Sequence, residues 1–253
     1  MTSQPNPKIS AVLLGLLALA ASIAWTTPAL AAKLMVDDFE GEEIKNKLGG
    51  RANVFQKAPS KALVSRREDT VEGKKTHVLL LRYDKENEGG PYGMGGWCGY
   101  YTSLKKPAHL VAPADGAPPA GAIQPAGQRA VPALDSAPGA AAVPEQSEEE
   151  YLDGSAYKAI TFWVRGEKGD EHFMVGLSDR HWDKIGDSVK SEEIGKYVPA
   201  GKMTTEWQKV VVPLDTFFVD HSKLGAIAVS FESDAFPEGK GTGTVYLDDI
   251  ALE

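Results

Sequence analysis

Along most of this chain apolar and polar residues alternate with a period of two, the signature of strands that bury one face. In "YKAITFWVRG", Ile160, Phe162 and Val164 fall on one side, and Thr161, Trp163 and Arg165 on the other. "EHFMVGLSD" repeats the pattern, with Phe173, Val175 and Leu177 inward and His172, Met174 and Ser178 outward. "THVLLLRYD", "WQKVVVPL", "LGAIAVSFE" and "GTVYLDDIAL" read as further strands, and "YGMGGWCGYYTSL" as a glycine-bent one. No helical period lasts beyond a turn or two; "PLDTFF" is the one short candidate. Many short strands separated by turn residues predict an all-β fold, an antiparallel β-sandwich of the jelly-roll kind.

Two interruptions change this picture. Residues 1–31 hold one Lys8, the apolar run "SAVLLGLLALAASIAW" and then "PALAA", which predicts an export signal with cleavage after Ala31. The run is shorter than the roughly 20 residues a membrane span needs, although an uncleaved anchor stays open as a reading. From Lys106 to Glu149 the chain has no aromatic residue, carries half of its 16 prolines and ends in an acidic run. Such a segment buries too little apolar surface to offset its ordering entropy, and it reads as a disordered insertion. A linker between two domains is the other reading. The strands on each side are too few to close a sandwich, so one domain over 32–253 interrupted by a long loop is the simpler account, and loop closure costs grow only logarithmically with length.

The formal net charge of −8 argues against nucleic acid or anionic lipid as partners. The lone Cys98 excludes an internal disulfide and a cysteine-based zinc site. No G-x-S-x-G elbow, H-E-x-x-H helix or phosphate-cradling loop occurs. With 35 acidic residues, some carboxylate pair always meets a glycosidase spacing, so that signal has little weight and the chain reads as a non-enzyme. The strand-like stretches "LMVDDFEGEE" and "GTVYLDDIALE" each carry adjacent aspartates. Neighbouring strand side chains point to opposite faces, so one carboxylate of each pair is turned toward the buried side and needs a partner.

The succession "VDDFEG", "NKLGG", "LLLRYD", "GGWCGYYTSL", "YLDGSAYKAITFWVRG", "FMVGLSD", "EWQKVVVPLDTF", "IAVSFE" and "VYLDDIAL" resembles the galactose-binding-like jelly-roll domains of non-catalytic carbohydrate-binding modules. It is most similar to the family 11 type, and also to the related domain of complex I intermediate-associated proteins. The Pro/Ala tract stands where such domains have a short loop. The resemblance implies first and last strands lying side by side, with a structural calcium near the chain ends. Asp38, Glu40, Asp248 and Asp249, with Asp37 beside them, would then supply the oxygen ligands that this hard cation takes.

Carbohydrate-binding modules stack aromatic rings on sugar faces, while planar polar groups bond the hydroxyls. Trp97 and Tyr101 share a parity in "WCGYY"; Trp163 and Arg165 share an outer face, next to His172 if their strands pair; Asp179 and Trp182 stand in the polar loop "SDRHWDK". Together they predict one groove for a polysaccharide or oligosaccharide in an exported protein, in the periplasm, at the cell surface or secreted. A cell-envelope assembly protein using the same sandwich to grip a protein partner is the alternative.

Overall fold

The computed structural model describes residues 33–41, 45–89, 95–106 and 150–253. The expected leader over 1–31 and nearly all of the expected insertion over 106–149 lie outside them. Before the insertion run β1 (Leu34–Asp37), β2 (Ala52–Gln56), β3 (Lys61–Val71), β4 (Lys74–Lys85) and β5 (Cys98–Ser103). After it run β6 (Ala159–Gly166), β7 (Met174–Asp179), the helix α1 (Arg180–Ile185), β8 (Val189–Glu193), β9 (Gln208–Pro213), β10 (Leu224–Phe231) and β11 (Gly241–Leu252). "PLDTFF" yields only a single 3-10 turn, Leu214–Thr216, and the polar "SDRHWDK" folds as α1 instead of a loop.

The strands form two antiparallel sheets. The first has the order β3-β4-β11-β6-β9, with β1 also paired to β11, and the second the order β2-β5-β10-β7-β8. Each sheet takes strands from both sides of the 107–149 segment, so neither flank closes a sheet of its own. The segment leaves and returns at one point, where Lys106 donates its backbone N–H to the Glu150 carbonyl at 3.1 Å and the two side chains pair at 3.3 Å.

Between the sheets the inward parity of each strand supplies the core. Ile160, Phe162 and Val164 from β6 meet Val175 and Leu177 from β7, Tyr100 from β5 and Ile227, Val229 and Phe231 from β10. Removing this contiguous apolar surface from water is the main force holding the sheets together. The expected outward Met174 and Ser178 are also buried.

The twin aspartates mark the place where β11 changes partners. Its first part, from Gly241 to Leu247, pairs with β4, and its last residues, Ile250 to Leu252, pair with β1. At the handover the ladder slips, and Asp249 adopts φ 53°. Aspartate tolerates that left-handed region better than the β-branched residues around it. The first and last strands therefore do run side by side, with Leu34 opposite Leu252 and Met35 opposite Ala251.

The outer face of the first sheet is not open. The β3–β4 hairpin bends back over it, so that Val71 at the hairpin tip packs with Val78 and Tyr246, against Leu80, Trp163 and Trp207. Asp69 of β3 reaches across to Arg165 of β6 at 2.6 Å. The Arg165 guanidinium lies 3.8 Å from the Tyr246 ring centroid and 5.3 Å from that of Trp207, so it is stacked as well as paired.

Candidate functional site

On the outer face of the second sheet the residues are small where its strands cross the middle. Across one row Tyr101 of β5 stands beside Ala228 of β10, then Gly176 of β7, then Lys190 of β8. A second row runs from Phe55 through Gly99 to Ser230. Small side chains at the centre and larger ones at the margins hollow this face into a cleft of about 970 Å³, a volume in the range of small-ligand sites. Five strands at the usual spacing of about 4.8 Å carry it across roughly 20 Å.

Aromatic rings stand at one side. Trp97 and Tyr101, on the same parity of the strand, lie roughly 13 Å apart at the extended rise, and both line the cleft with Phe55. Gly99 lies between them and cannot be enlarged. A Cβ there would overlap the Val229 carbonyl oxygen and meet the Phe55 ring at 2.6 Å. The glycines of this strand thus let Phe55 lie over the sheet and keep the two flanking aromatics accessible.

Polar groups close the margins. The Asp183 carboxylate on α1 accepts from Lys105 Nζ at 2.9 Å and Tyr151 Oη at 3.0 Å. Lys190 pairs with Glu232 at 3.2 Å and with Asp187 at 3.0 Å. The wall formed by Glu232, Ser233 and Asp234 is tied down by the buried Lys85. Its ammonium donates to the Glu86 carbonyl at 2.7 Å, the Gly239 carbonyl at 2.9 Å and Ser233 Oγ at 3.0 Å. Burial holds the Lys85 pKa below the ordinary lysine value, and the three acceptors stabilise the charge that remains.

Of the seven residues singled out for one groove, the structure brings Trp97 and Tyr101 together in this cleft. Trp163 and Arg165 do not join them, because β6 belongs to the first sheet, where both sit under the β3–β4 hairpin. Nor do Trp163 and His172 become neighbours, since β7 lies in the other sheet. His172 Nδ1 instead faces Glu193 Oε1 at 3.2 Å, with its ring edge-on to Phe236. Asp179 is the N-cap of α1 and accepts from the backbone of His181, Trp182 and Asp220 at 2.8, 3.1 and 2.8 Å. Burial would raise its pKa, but those three N–H groups outweigh it and hold the carboxyl below the usual range. Trp182 lies half-buried on α1, edge-on to His181. Phe55, Lys105, Asp183 and Lys190 line the cleft without having been singled out. The alternation in "WCGYYTSL" marks the Trp97 and Tyr101 face, but pairing order alone shows that β2 and β10 flank it.

Asp37, Asp38, Glu40 and Asp248 each accept from protein donors. Asp37 accepts from the Phe39 N–H and Tyr100 Oη, both at 3.1 Å, and burial raises its pKa. Asp38 pairs with Lys47 at 2.8 Å. Glu40 accepts from Thr76 Oγ1 at 2.6 Å, from His77 Nδ1 at 2.8 Å and from the His77 N–H at 2.9 Å, and these bonds pull its pKa down to about 2. Asp248 is buried, and desolvation, reinforced by the charge of Asp249, pushes its pKa up to about 7. Among the described residues no three acidic, histidine or cysteine side chains converge as a cation site.

The fold is a two-layer antiparallel sandwich with an aromatic and polar cleft on the outer face of one sheet. Residues 141–253 match the model of carbohydrate-binding domain 30. Among solved structures, the family 11 carbohydrate-binding module of Clostridium thermocellum in complex with a β-1,3-1,4-mixed-linked tetrasaccharide is similar at 14% identity, covering 87% of this chain and 94% of that one, with a TM-score of 0.47. The family 30 module of a cellulosomal cellulase of the same organism is similar at 16% identity, covering 88% and 92%, with a TM-score of 0.41. No curated protein sequence matches the chain. The resemblance to carbohydrate-binding modules agrees with these findings, and the match to domain 30 supports a carbohydrate-binding role. The link to complex I intermediate-associated proteins, and with it a protein partner, finds no support in them. No described helix is long and apolar enough to cross a membrane.

Proposed function

We propose that this chain is an exported, non-catalytic protein that holds a polysaccharide strand in the cleft of the five-stranded sheet, with Trp97 and Tyr101 as its stacking platforms. The observation that carries this reading is the placing of Trp97 and Tyr101 at one side of a cleft floored by Ala226 and Ala228, within a chain whose last 113 residues match a carbohydrate-binding model. Small floor residues leave room for a pyranose ring to lie flat, and the aromatic faces supply the apolar contact that a sugar's C–H face seeks. Export rests on the sequence of residues 1–31.

Calorimetric titration against a panel of soluble glycans tests it. The panel holds a mixed-linkage β-1,3-1,4-glucan oligosaccharide, a galactomannan, a xylan and the anionic polygalacturonate. At least one neutral glycan is expected to bind, and Trp97→Ala or Tyr101→Ala to weaken it by about tenfold or more. Trp163→Ala, on the opposite sheet, should leave affinity unchanged. Absence of binding across the panel, or binding that survives both cleft changes, refutes the proposal.

A further inference from the structure

We infer that Asp183 is the fixed hydroxyl-reading group of the cleft and makes it selective for neutral over acidic glycans, an inference that rests on the carbohydrate-binding reading above. Three separate elements converge on this one side chain. Lys105, which follows β5, and Tyr151, which precedes β6, both donate to Oδ2. Gly225 at the start of β10 provides the space, since a Cβ there would lie 2.9 Å from the Asp183 Cβ and 3.2 Å from its Cγ. The side chain is one-fifth exposed and lines the cleft. With both bonds on Oδ2, Oδ1 has no partner among the described residues, and a carboxylate oxygen at a cleft wall is an acceptor awaiting a donor.

A second observation marks the same spot. Ser178 lies against the same Gly225 position, 3.0 Å from where a Cβ would stand, and it also lines the cleft. It is 3% exposed, and its hydroxyl has no hydrogen-bond partner. Buried polar groups are normally satisfied, so this orphaned hydroxyl, packed on the same glycine as Asp183, is a second unmet polar group at that wall.

The chemistry of this pair selects its ligand. Oδ1 only accepts, so it rewards a sugar hydroxyl, which can donate, and opposes a uronate carboxylate, which cannot. Lys105 fixes the sense of the arrangement. In Asp183→Asn the ammonium, having only donors, would keep the amide oxygen toward itself and turn the NH₂ to the cleft, replacing an acceptor with a donor.

The test measures Asp183→Asn and Tyr151→Phe against one neutral glycan that the wild type binds and against polygalacturonate, with thermal unfolding of each variant. Asp183→Asn is expected to weaken the neutral glycan by about tenfold and to shrink the neutral-to-anionic affinity ratio. Tyr151→Phe, which leaves the carboxylate but frees its torsion, is expected to weaken the neutral glycan by about threefold. Wild-type affinity in both variants overturns the inference. So does a parallel loss for the neutral and anionic glycans that leaves the ratio unchanged, since that is the mark of a general structural defect. If the wild type binds no glycan at all, it is the carbohydrate-binding reading that fails.

Discussion

Asp248 makes the fold pH-dependent in a window where few carboxylates titrate. Its side chain is 2% exposed, and its pKa is raised from 3.8 to about 7, first by burial and then by the neighbouring Asp249 charge. The native state therefore holds a proton that the unfolded chain has already released. The stabilisation from that proton is complete below the unfolded-state value, shrinks as the pH rises and is gone above the folded-state value. Integrating the single-site linkage between about pH 5 and pH 8 gives a loss of roughly 2.5 kcal/mol. His77, whose pKa is raised by its bond to Glu40, acts in the same direction, because its contribution also fades as the pH rises. Glu40 acts in a separate window, contributing above its ordinary value and losing that as the pH falls toward about 2, and as a half-exposed group it contributes little. Urea unfolding at a series of pH values checks the sum. Wild-type protein should be more stable at the acid end of the interval, and Asp248→Asn, which keeps the acceptor for the Asp249 N–H, should abolish most of the slope. Repeating the series with chelator and with millimolar calcium separates proton linkage from any cation effect. An unchanged slope in Asp248→Asn, or a slope present only in calcium, would refute the reasoning.

Two further outcomes follow from the packing. Gly99→Ala should lower the melting temperature and slow or abolish glycan binding, because the new methyl collides with the Val229 carbonyl and displaces Phe55 from the cleft; a variant melting within a degree or so of the wild type would show that β5 shifts at no cost. Replacing residues 107–149 with a few Gly and Ser residues should leave the melting temperature nearly unchanged, since the closing ends already pair at Lys106 and Glu150, and circular dichroism melts read this directly.

What could be read in the chain and what could not divides along physical lines. β6, β7, β9, β10 and β11 bury one or both faces, so their alternation is written plainly in Val, Ile, Leu and Phe. β3, "KALVSRREDTV", and β8, "VKSEE", lie at sheet edges with most of their side chains at least partly in water, and their sequences carry little apolar pattern to find. The same rule governs the site. Alternation correctly places Trp97 with Tyr101, and Trp163 with Arg165, because parity is local. It says nothing about which sheet a strand joins, and that choice separates the two pairs by the thickness of the sandwich. Asp183 and Lys105 are close only through the tertiary fold, 78 positions apart, and no local spacing could join them. The aspartate pairs show the converse: their spacing is conspicuous in sequence, and in the structure Asp249 serves the bulge while Asp37, Asp38 and Asp248 are met by protein donors.

The antiparallel meeting of β1 and β11 has a mechanical consequence. Leu34 and Leu252 sit at the same end of that ribbon, so tension applied through Lys33 and Glu253 would part its hydrogen bonds one after another instead of shearing them all at once. Such a seam yields at low force. Because it belongs to the sheet opposite the cleft, a pulled molecule would shed its first strand while the sugar-facing sheet kept its ladder.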